Sequence, residues 1–401
     1  MSLLHELSVR RPYENGSTML SFKVILAGGK TGGHVFPAVA MAKEFKKRFP
    51  ESQVIFVGTK EGLESKVVPK FGFKLLFICA RGLKRKASPK NILLPYYILK
   101  SLCQSLKILK QEKPDLVVGT GGYVSFPVVF SARLKNIPTL IQEQNSYPGI
   151  STRLLAFLVD RVCLSYLSSS DYFLTKGKLK VIGNPIRADM VSEDRHEGLK
   201  KFNLDPGKKT IFIFGGSQGS HAINQAVLGS MDLLLENWQL LWQTGEGDFV
   251  SVSEKVKEKK NKCVVFPFIE DMRSAYAASD LIISRAGALT LAEITACGKP
   301  SILIPYPFAT ADHQRYNAEA LQKEGAAEII LQKDLTGEIL AKKLFSLLSD
   351  DEKLKRMGER SKKIGKPEAA SLLVNEMENL LKRKTRESRP KGTVEKSTLS
   401  F

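Results

Sequence analysis

No apolar run in this 401-residue sequence reaches the roughly 18 residues that a membrane-spanning helix requires. The opening stretch MSLLHELSVRRPYENGSTML lacks the basic-then-apolar order and small-residue cleavage site of a secretory signal, so neither a span nor export is expected. Cysteine is scarce. Cys79, Cys103, Cys163, Cys263 and Cys297 are widely spaced and form no Cys-x-x-Cys pair, which argues against a zinc ribbon or dithiol couple and for reduced thiols. Two nucleotide motifs are also incomplete. Gly29, Lys30 and Thr31 end like a phosphate-binding P-loop, but Val24 stands where that loop needs its first glycine. Gly245 and Gly247 begin a dinucleotide fingerprint that Val250 ends wrongly, which argues against a nicotinamide dehydrogenase.

What is present is ordinary in bulk and uneven in detail. Hydrophobic residues make up 43% and charged residues 25%, the balance of a globular protein, and the length suits two domains better than one core. A formal net charge of +20 implies an anionic partner: nucleic acid, a phosphorylated substrate or an acidic membrane face. Short apolar runs alternate with helix-period segments. KVILA, QVIFVG, DLVVGTGG and PTLIQEQ come first, followed by KTIFIFGGSQG, LLWQTG, CVVFPF, DLIISRAG and PSILIPYP. This alternation predicts parallel strands joined by crossover helices, twice over. We therefore divide the chain into an extension at 1–18, an α/β domain at 19–183 and a second α/β domain at 184–380, whose last helix is a candidate to pack back on the first. A basic, disordered tail is expected at 381–401.

Glycine concentrates at strand-to-helix turns. Gly28, Gly29, Gly32 and Gly33 surround Lys30 and Thr31 and precede His34, with Pro37 expected in the first turn of a helix running to about Phe49. The N–H groups of such a turn and the helix start can hold an anion, at about 0.3–1 kcal/mol per helix terminus. His34 itself is open between acid–base chemistry and a packed or capping role. A second turn holds Gly119, Gly121, Gly122 and Tyr123, and a third holds Gly215, Gly216, Ser217, Gln218 and Gly219. Residues 142–149 put hydrogen-bonding side chains after a strand, where open α/β sheets bind ligands, although loop capping would also use them. A helix from about Ala288 to Cys297 carries Glu293 in its second turn, either to accept the two hydroxyls of a ribose or to offset the helix dipole at the surface. Asp312, His313, Gln314, Arg315 and Asn317 crowd polarity ahead of another helix.

Taken in order, GGKTGGHVFPA, GTGGYVSFP, EQNSYPG, GNPIR, GGSQGS, FIEDM, SRAGALTLAEI and DHQRYNA resemble the MurG family. These are bacterial glycosyltransferases that move N-acetylglucosamine from UDP to a lipid-linked muramyl-pentapeptide. The resemblance spans roughly residues 22–380, with two departures: Lys30, where the family commonly has glycine or a shorter turn, and Gln142, where it often has histidine. It implies a GT-B fold, two Rossmann-like doubly wound α/β domains facing a cleft. On the donor side it implies Thr31, Gly32, Gly33 and Asn145 near the transferred sugar, and Arg187 and Ser217 at the diphosphate. Ile269 would meet the uracil, Ala288, Leu289 and Thr290 the diphosphate, Glu293 the ribose and Gln314 the sugar hydroxyls. Gly28, Gly29, His34, Gly121, Gly122 and Tyr123 fall on the acceptor side.

The implied reaction is one displacement with inversion. His34 is the candidate base because imidazole titrates near neutral pH, with Glu143 and Asp312 in reserve. No Asp-x-Asp is present to hold a divalent ion on UDP, so neither a metal nor another cofactor is expected. Lys84, Arg85, Lys86 and Lys90 adjoin Leu93, Leu94, Tyr96 and Tyr97. That pairing suits an anionic leaflet, each charge contributing about 1 kcal/mol at most, and the alternative is an ordinary loop and a buried helix. The expectation is a peripheral enzyme on the cytoplasmic face of the bacterial inner membrane, acting on UDP-N-acetylglucosamine and a lipid-linked muramyl-pentapeptide, with no nucleic-acid partner. Two rivals stay open. One is another UDP-sugar enzyme on this fold, a lipid glycosyltransferase or a UDP-N-acetylglucosamine epimerase; the other is a non-enzymatic basic binding protein.

Overall fold

A computed structural model describes residues 21–82, 93–191, 194–259 and 262–387. The apolar runs become strands buried on both faces, which is why they read as nearly continuous rather than alternating. The first domain runs β1 (Lys23–Gly28), α1 (Gly32–Arg48), β2 (Gln53–Gly58), α2 (Glu64–Val67), β3 (Lys74–Phe77), α3 (Leu94–Glu112), β4 (Leu116–Gly121) and α4 (Gly122–Leu134). It continues through β5 (Thr139–Glu143), α5 (Ile150–Ala156), β6 (Arg161–Leu164) and β7 (Leu179–Val181). The sheet is parallel, in the order β3-β2-β1-β4-β5-β6-β7.

The second domain runs α6 (Arg195–Lys201), β8 (Thr210–Phe214), α7 (His221–Asn237), β9 (Gln239–Gln243), α8 (Glu246–Lys255), β10 (Cys263–Phe266), α9 (Met272–Ala278), β11 (Leu281–Ser284) and α10 (Ala288–Ala296). It ends with β12 (Ser301–Leu303), α11 (His313–Lys323), β13 (Ala327–Ile329), α12 (Gly337–Leu348), α13 (Asp351–Ile364) and α14 (Ala369–Glu387). Its parallel sheet has the order β10-β9-β8-β11-β12-β13. Each sheet carries a core on either face, the expected doubly wound GT-B architecture.

The chain returns at its end. Ala369, Leu373, Val374, Met377, Leu380 and Leu381 of α14 join the core that Val24, Leu26, Met41 and Phe45 build in the first domain. Arg161 Nε meets Glu376 Oε2 at 2.8 Å on the same helix. Strand order reverses between β1 and β4 and between β8 and β11, and the crevice at the carboxyl ends of such pairs is where open α/β sheets take ligands. The glycine turns leave β1, β4 and β8, and Arg285–Gly287 leaves β11.

Three sequence expectations change. Helix α1 starts at Gly32 with Thr31 as its N-cap, so Pro37 lies inside it and leaves the Gly33 carbonyl without its helical donor. Three short edge strands, β3, β7 and β13, are brief, partly exposed runs that carry little pattern, and β6 beside β7 is a buried run of only four residues. Helix α14 continues to Glu387, so the start of the segment expected to be a disordered tail is helical; residues 388–401, like the extension at 1–18, lie outside the described residues.

Candidate active site

A buried carboxylate shapes the first glycine turn. Glu64, 1% exposed, accepts from the Thr59 N–H at 2.7 Å, from Thr59 Oγ1 at 2.9 Å and from the Lys30 N–H at 2.8 Å. A Cβ at Gly29, Gly58 or Gly62 would collide with it, so the glycines make room for a side chain that no motif announces. Gly28 does the same for Thr120, whose hydroxyl donates to the His34 carbonyl at 2.9 Å.

His34 is the third residue of α1, half-buried, with Nδ1 3.0 Å from Thr31 Oγ1. Its ring packs on the second turn, where Gly121 and Gly122 stand at φ 97 and 75. A Cβ at Gly121 would come within 2.6 Å of His34 Cδ2, so one imidazole joins the starts of α1 and α4. Burial pushes its pKa down to about 4, helped by the charges of His313 and Lys30 and opposed by a Gly29 backbone hydrogen bond and by Glu64. The ring is therefore neutral at physiological pH. Thr31 is exposed, and Gly32 and Gly33 are half-buried beside it.

Glu143 does something different. Its carboxylate accepts from the Asn145 N–H at 3.1 Å, Asn145 Nδ2 at 3.2 Å and the Gly149 N–H at 3.2 Å, stapling the loop after β5. Burial raises its pKa, and these donors pull it back. With both oxygens so engaged, Glu143 serves loop shape, which weakens it as a reserve base. Asp312 is half-buried at the N-cap of α11, at φ 53, and its side chain makes no cap hydrogen bond.

Amides join the two domains. Asn317, fully buried, accepts from the Ser146 N–H at 2.9 Å and Ser146 Oγ at 3.0 Å, and donates to Asn145 Oδ1 at 3.2 Å. Asn184 donates to the carbonyls of Gln144 at 3.1 Å and Ala288 at 3.2 Å, and accepts from Gln142 Nε2 at 3.0 Å. Tyr147 and Tyr316 stack beside them with centroids 5.3 Å apart. The departure at Gln142 thus feeds the junction.

On the second domain the turn after β8 is held backbone to backbone. Gly216, Gly219 and Gly245 stand at φ 92, 73 and 82; a Cβ on Gly219 would overlap the Thr244 carbonyl, and one on Gly245 the Gln218 carbonyl. Gly245, the first glycine of the failed fingerprint, is therefore a packing residue. Ser217 is exposed at the tip. Gln243, which sequence reading missed, donates from Nε2 to the Gly216 carbonyl at 3.0 Å and accepts from the Ile269 N–H at 2.8 Å, tying the turn to a buried Ile269. Arg285, also missed, donates to Ser220 Oγ at 2.7 Å and to the carbonyls of Ile304 and Pro305 at 3.1 and 3.2 Å.

Helix α10 opens with Ala288, Leu289 and Thr290 after an N-cap glycine that offers no side chain, so its first N–H groups suit an anion. One turn on, Glu293 accepts from the Tyr276 hydroxyl at 3.0 Å. Burial pushes its carboxyl up to about 7, moderated by that bond and by the charge of nearby Arg187. Glu293 is half-buried against Tyr276 and close to Arg187. Arg187 is largely exposed, with Nε 3.9 Å from Asp189 Oδ1. Gln314 turns its Oε1 to the Tyr306 N–H at 2.9 Å.

Lys84, Arg85, Lys86 and Lys90 lie outside the described residues. Leu94 and Tyr97 are half-buried in the first turn of α3, whereas Leu93, Tyr96 and Leu99 are 53, 56 and 64% exposed, so this helix start is not a buried one. Helix α5, packed against α4, exposes Ile150 and Leu154, and Phe157 at its C-cap is exposed too. Among the described residues no helix is long and apolar enough to cross a membrane, and no group of three His, Cys, Asp or Glu could hold a metal ion.

Residues 24–164 match the glycosyltransferase family 28 N-terminal domain and residues 210–373 its C-terminal domain. A protein of Thermodesulfovibrio yellowstonii named UDP-N-acetylglucosamine-N-acetylmuramyl-(pentapeptide) pyrophosphoryl-undecaprenol N-acetylglucosamine transferase is 43% identical over 365 residues, 90% of this chain and 100% of that one. Its namesake in Acetivibrio thermocellus is 40% identical over 365 residues, covering 90% and 99%. The crystal structure of Acinetobacter baumannii MurG matches with a TM-score of 0.72 and 30% identity, over 90% of this chain and 99% of that one. A likeness of this depth, running through both domains and across the junction between them, makes the chain a member of the MurG family of glycosyltransferases.

Proposed function

We propose that the protein moves N-acetylglucosamine from UDP-N-acetylglucosamine to the N-acetylmuramyl-(pentapeptide) pyrophosphoryl-undecaprenol acceptor, a step in making peptidoglycan precursors. The observation that carries this reading is 43% identity to a transferase of that name along its whole length. On the second domain, Ile269 borders the uracil and Glu293 takes the ribose hydroxyls. The start of α10, with Ser217 and Arg187, takes the diphosphate. The sugar then lies toward Gln314, Thr31, Gly32, Gly33 and Asn145, and the acceptor pyrophosphate against the turns at 28–33 and 121–123.

In the reaction the muramyl 4-hydroxyl oxygen bonds to the anomeric carbon as the bond to UDP breaks, and its electron pair leaves with UDP. The hydroxyl proton goes to His34, whose neutral ring is fixed by Thr31 Oγ1. Two bound pyrophosphates raise the proton affinity of that ring from its low value in the free protein. Charge growing on UDP meets the N–H groups of α10 and the Arg187 guanidinium, and losing one preorganised donor of this kind costs about 2.7–4 kcal/mol. The exposed apolar residues of α3 and α5 support a peripheral seat on the cytoplasmic face of the inner membrane, where such an acceptor is reached.

The deciding assay is transfer of labelled sugar from UDP-N-acetylglucosamine to a short-chain muramyl-pentapeptide diphosphate lipid in EDTA. Transfer is expected. No transfer, with or without magnesium, by protein that binds UDP would replace the acceptor.

A further inference from the structure

The amides at the domain junction fall into two sets. On the first-domain side Asn317 reaches Ser146 and Asn145, and goes no further than the loop after β5. The other set runs on. Asn184 donates from Nδ2 to the Ala288 carbonyl at 3.2 Å, in the first turn of α10, and to the Gln144 carbonyl at 3.1 Å, while Gln142 Nε2 donates to its Oδ1 at 3.0 Å. Gln144 Nε2 donates in turn to Gln142 Oε1 and, at 2.6 Å, to the Thr120 carbonyl. Thr120 Oγ1 then donates to the His34 carbonyl at 2.9 Å. Thr120, Gln142, Gln144, Asn184 and Ala288 are all buried, so bulk water does not compete for these amides. The chain also has only one sense. Asn184 Nδ2 lies between two carbonyls, which only accept, and the amide cannot flip without setting Oδ1 against both. Its neighbour Gly183, at φ 110, stands where the two crossings between the domains meet: a Cβ there would come within 2.6 Å of Lys366 Cβ.

We propose that Asn184 is a positioning residue for sugar transfer: through Gln142 and Gln144 it fixes the start of α10 in register with the turn at 120–122 and with His34. The inference rests on the function proposed above, in which these two elements carry the leaving diphosphate and the attacking hydroxyl. Asn184 acts through main-chain carbonyls and not on substrate. A misplacement of about 1 Å between reacting partners costs about 10²-fold in rate, so this register governs turnover more than binding.

Asn184→Asp keeps the shape and sets an oxygen against both carbonyls. Gln144→Met breaks the same chain at its Thr120 end without adding a charge, and decides the matter alone if Asn184→Asp does not fold. Ser146→Ala weakens the other set of amides and is the control. Each full-length protein is assayed for transfer to the short-chain lipid acceptor, titrated with UDP, and followed by hydrogen exchange with UDP bound. In Asn184→Asp kcat falls about 10²-fold and in Gln144→Met about tenfold, while UDP affinity and the acceptor KM stay within about threefold. The double variant loses no more than Asn184→Asp alone, as members of one chain should. Amides at 120–122 exchange faster in Asn184→Asp, although Asn184 bonds to none of them. Ser146→Ala keeps kcat within about twofold. Normal kcat in the chain variants, a loss that falls on UDP affinity or the acceptor KM, additive losses, unchanged exchange at 120–122, or an equal loss in Ser146→Ala overturns the assignment. Absence of transfer by the wild type overturns the proposed function, and exchange at 120–122 still decides on Asn184.

Discussion

Each half of the cleft presents a glycine turn leading into a helix, and the two turns are held in different ways. In the first domain a side chain is the template: Glu64 fills the space that Gly29, Gly58 and Gly62 leave open. In the second the backbone is its own template, with Gly219 and Gly245 packed against the carbonyls of Thr244 and Gln218. A turn built around a carboxylate accepts a new residue wherever that carboxylate is not, which is how Lys30 fits. One built on main-chain contact accepts no Cβ at the contact positions, Gly219 and Gly245, although Ser217 and Gln218 project from its tip. The first-domain turn thus has room beside its template, and the second-domain turn is locked where its backbones touch.

The largest effect expected on either half is at His34. His34→Ala should lower kcat by about 10²–10⁴-fold, the span of general-base catalysis, while UDP affinity holds. Steady-state kinetics at saturating substrates reads this directly, and near-normal turnover would move the base elsewhere, with Asp312 next in line. A matched glycine pair then sharpens the contrast in how the turns are built. Gly219→Ala forces a Cβ into the Thr244 carbonyl at a positive φ and should cost about 3 kcal/mol with loss of UDP binding. Gly33→Ala meets only Thr31 Oγ1 at 3.9 Å, on a helical backbone, so the fold should be unharmed even if turnover falls. Equal destabilisation of the two in urea unfolding would erase the distinction.

Glu293→Gln comes next. It keeps the shape and removes the charge that a ribose diol would meet, and UDP should bind about tenfold more weakly by calorimetry. Retained affinity would mean that the Tyr276–Glu293 pair is structural and the uridine lies elsewhere.

Much of this contrast was legible in the residues. The glycine turns, the strand runs before them and the order of motifs gave both switch points, because a parallel strand and its turn are local features. The templates were not. Glu64 lies 34 residues from Lys30, Gln243 lies 26 from Ile269, and Asn317 reaches Ser146 across 171. Each is a polar residue whose partner is set by sheet order rather than by spacing. The start of α1 was misjudged for a related reason: Pro37 is a common first-turn residue, but Thr31 and the strand before it fix the entry earlier.

The smallest effect separates the two halves by sign. His34 is depressed from 6.5 to about 4, so the folded protein binds fewer protons there than the unfolded chain, and stability from this group is lost as pH falls through that window. Glu293 is raised from 4.5 to about 7, so the folded protein holds a proton the unfolded chain has released, and stability from this group is lost as pH rises from 4.5 to 7. Between pH 4.5 and 6.5 the two oppose, each with a slope of at most about 1.4 kcal/mol per pH unit. Removing either one exposes the other. Relative to wild type, His34→Ala should gain stability as pH drops across that range and Glu293→Gln should lose it, which urea midpoints measured without UDP can follow. Parallel curves for the three proteins would mean that neither group is buried enough to titrate abnormally, and the electrostatic contrast between the two halves would go with it.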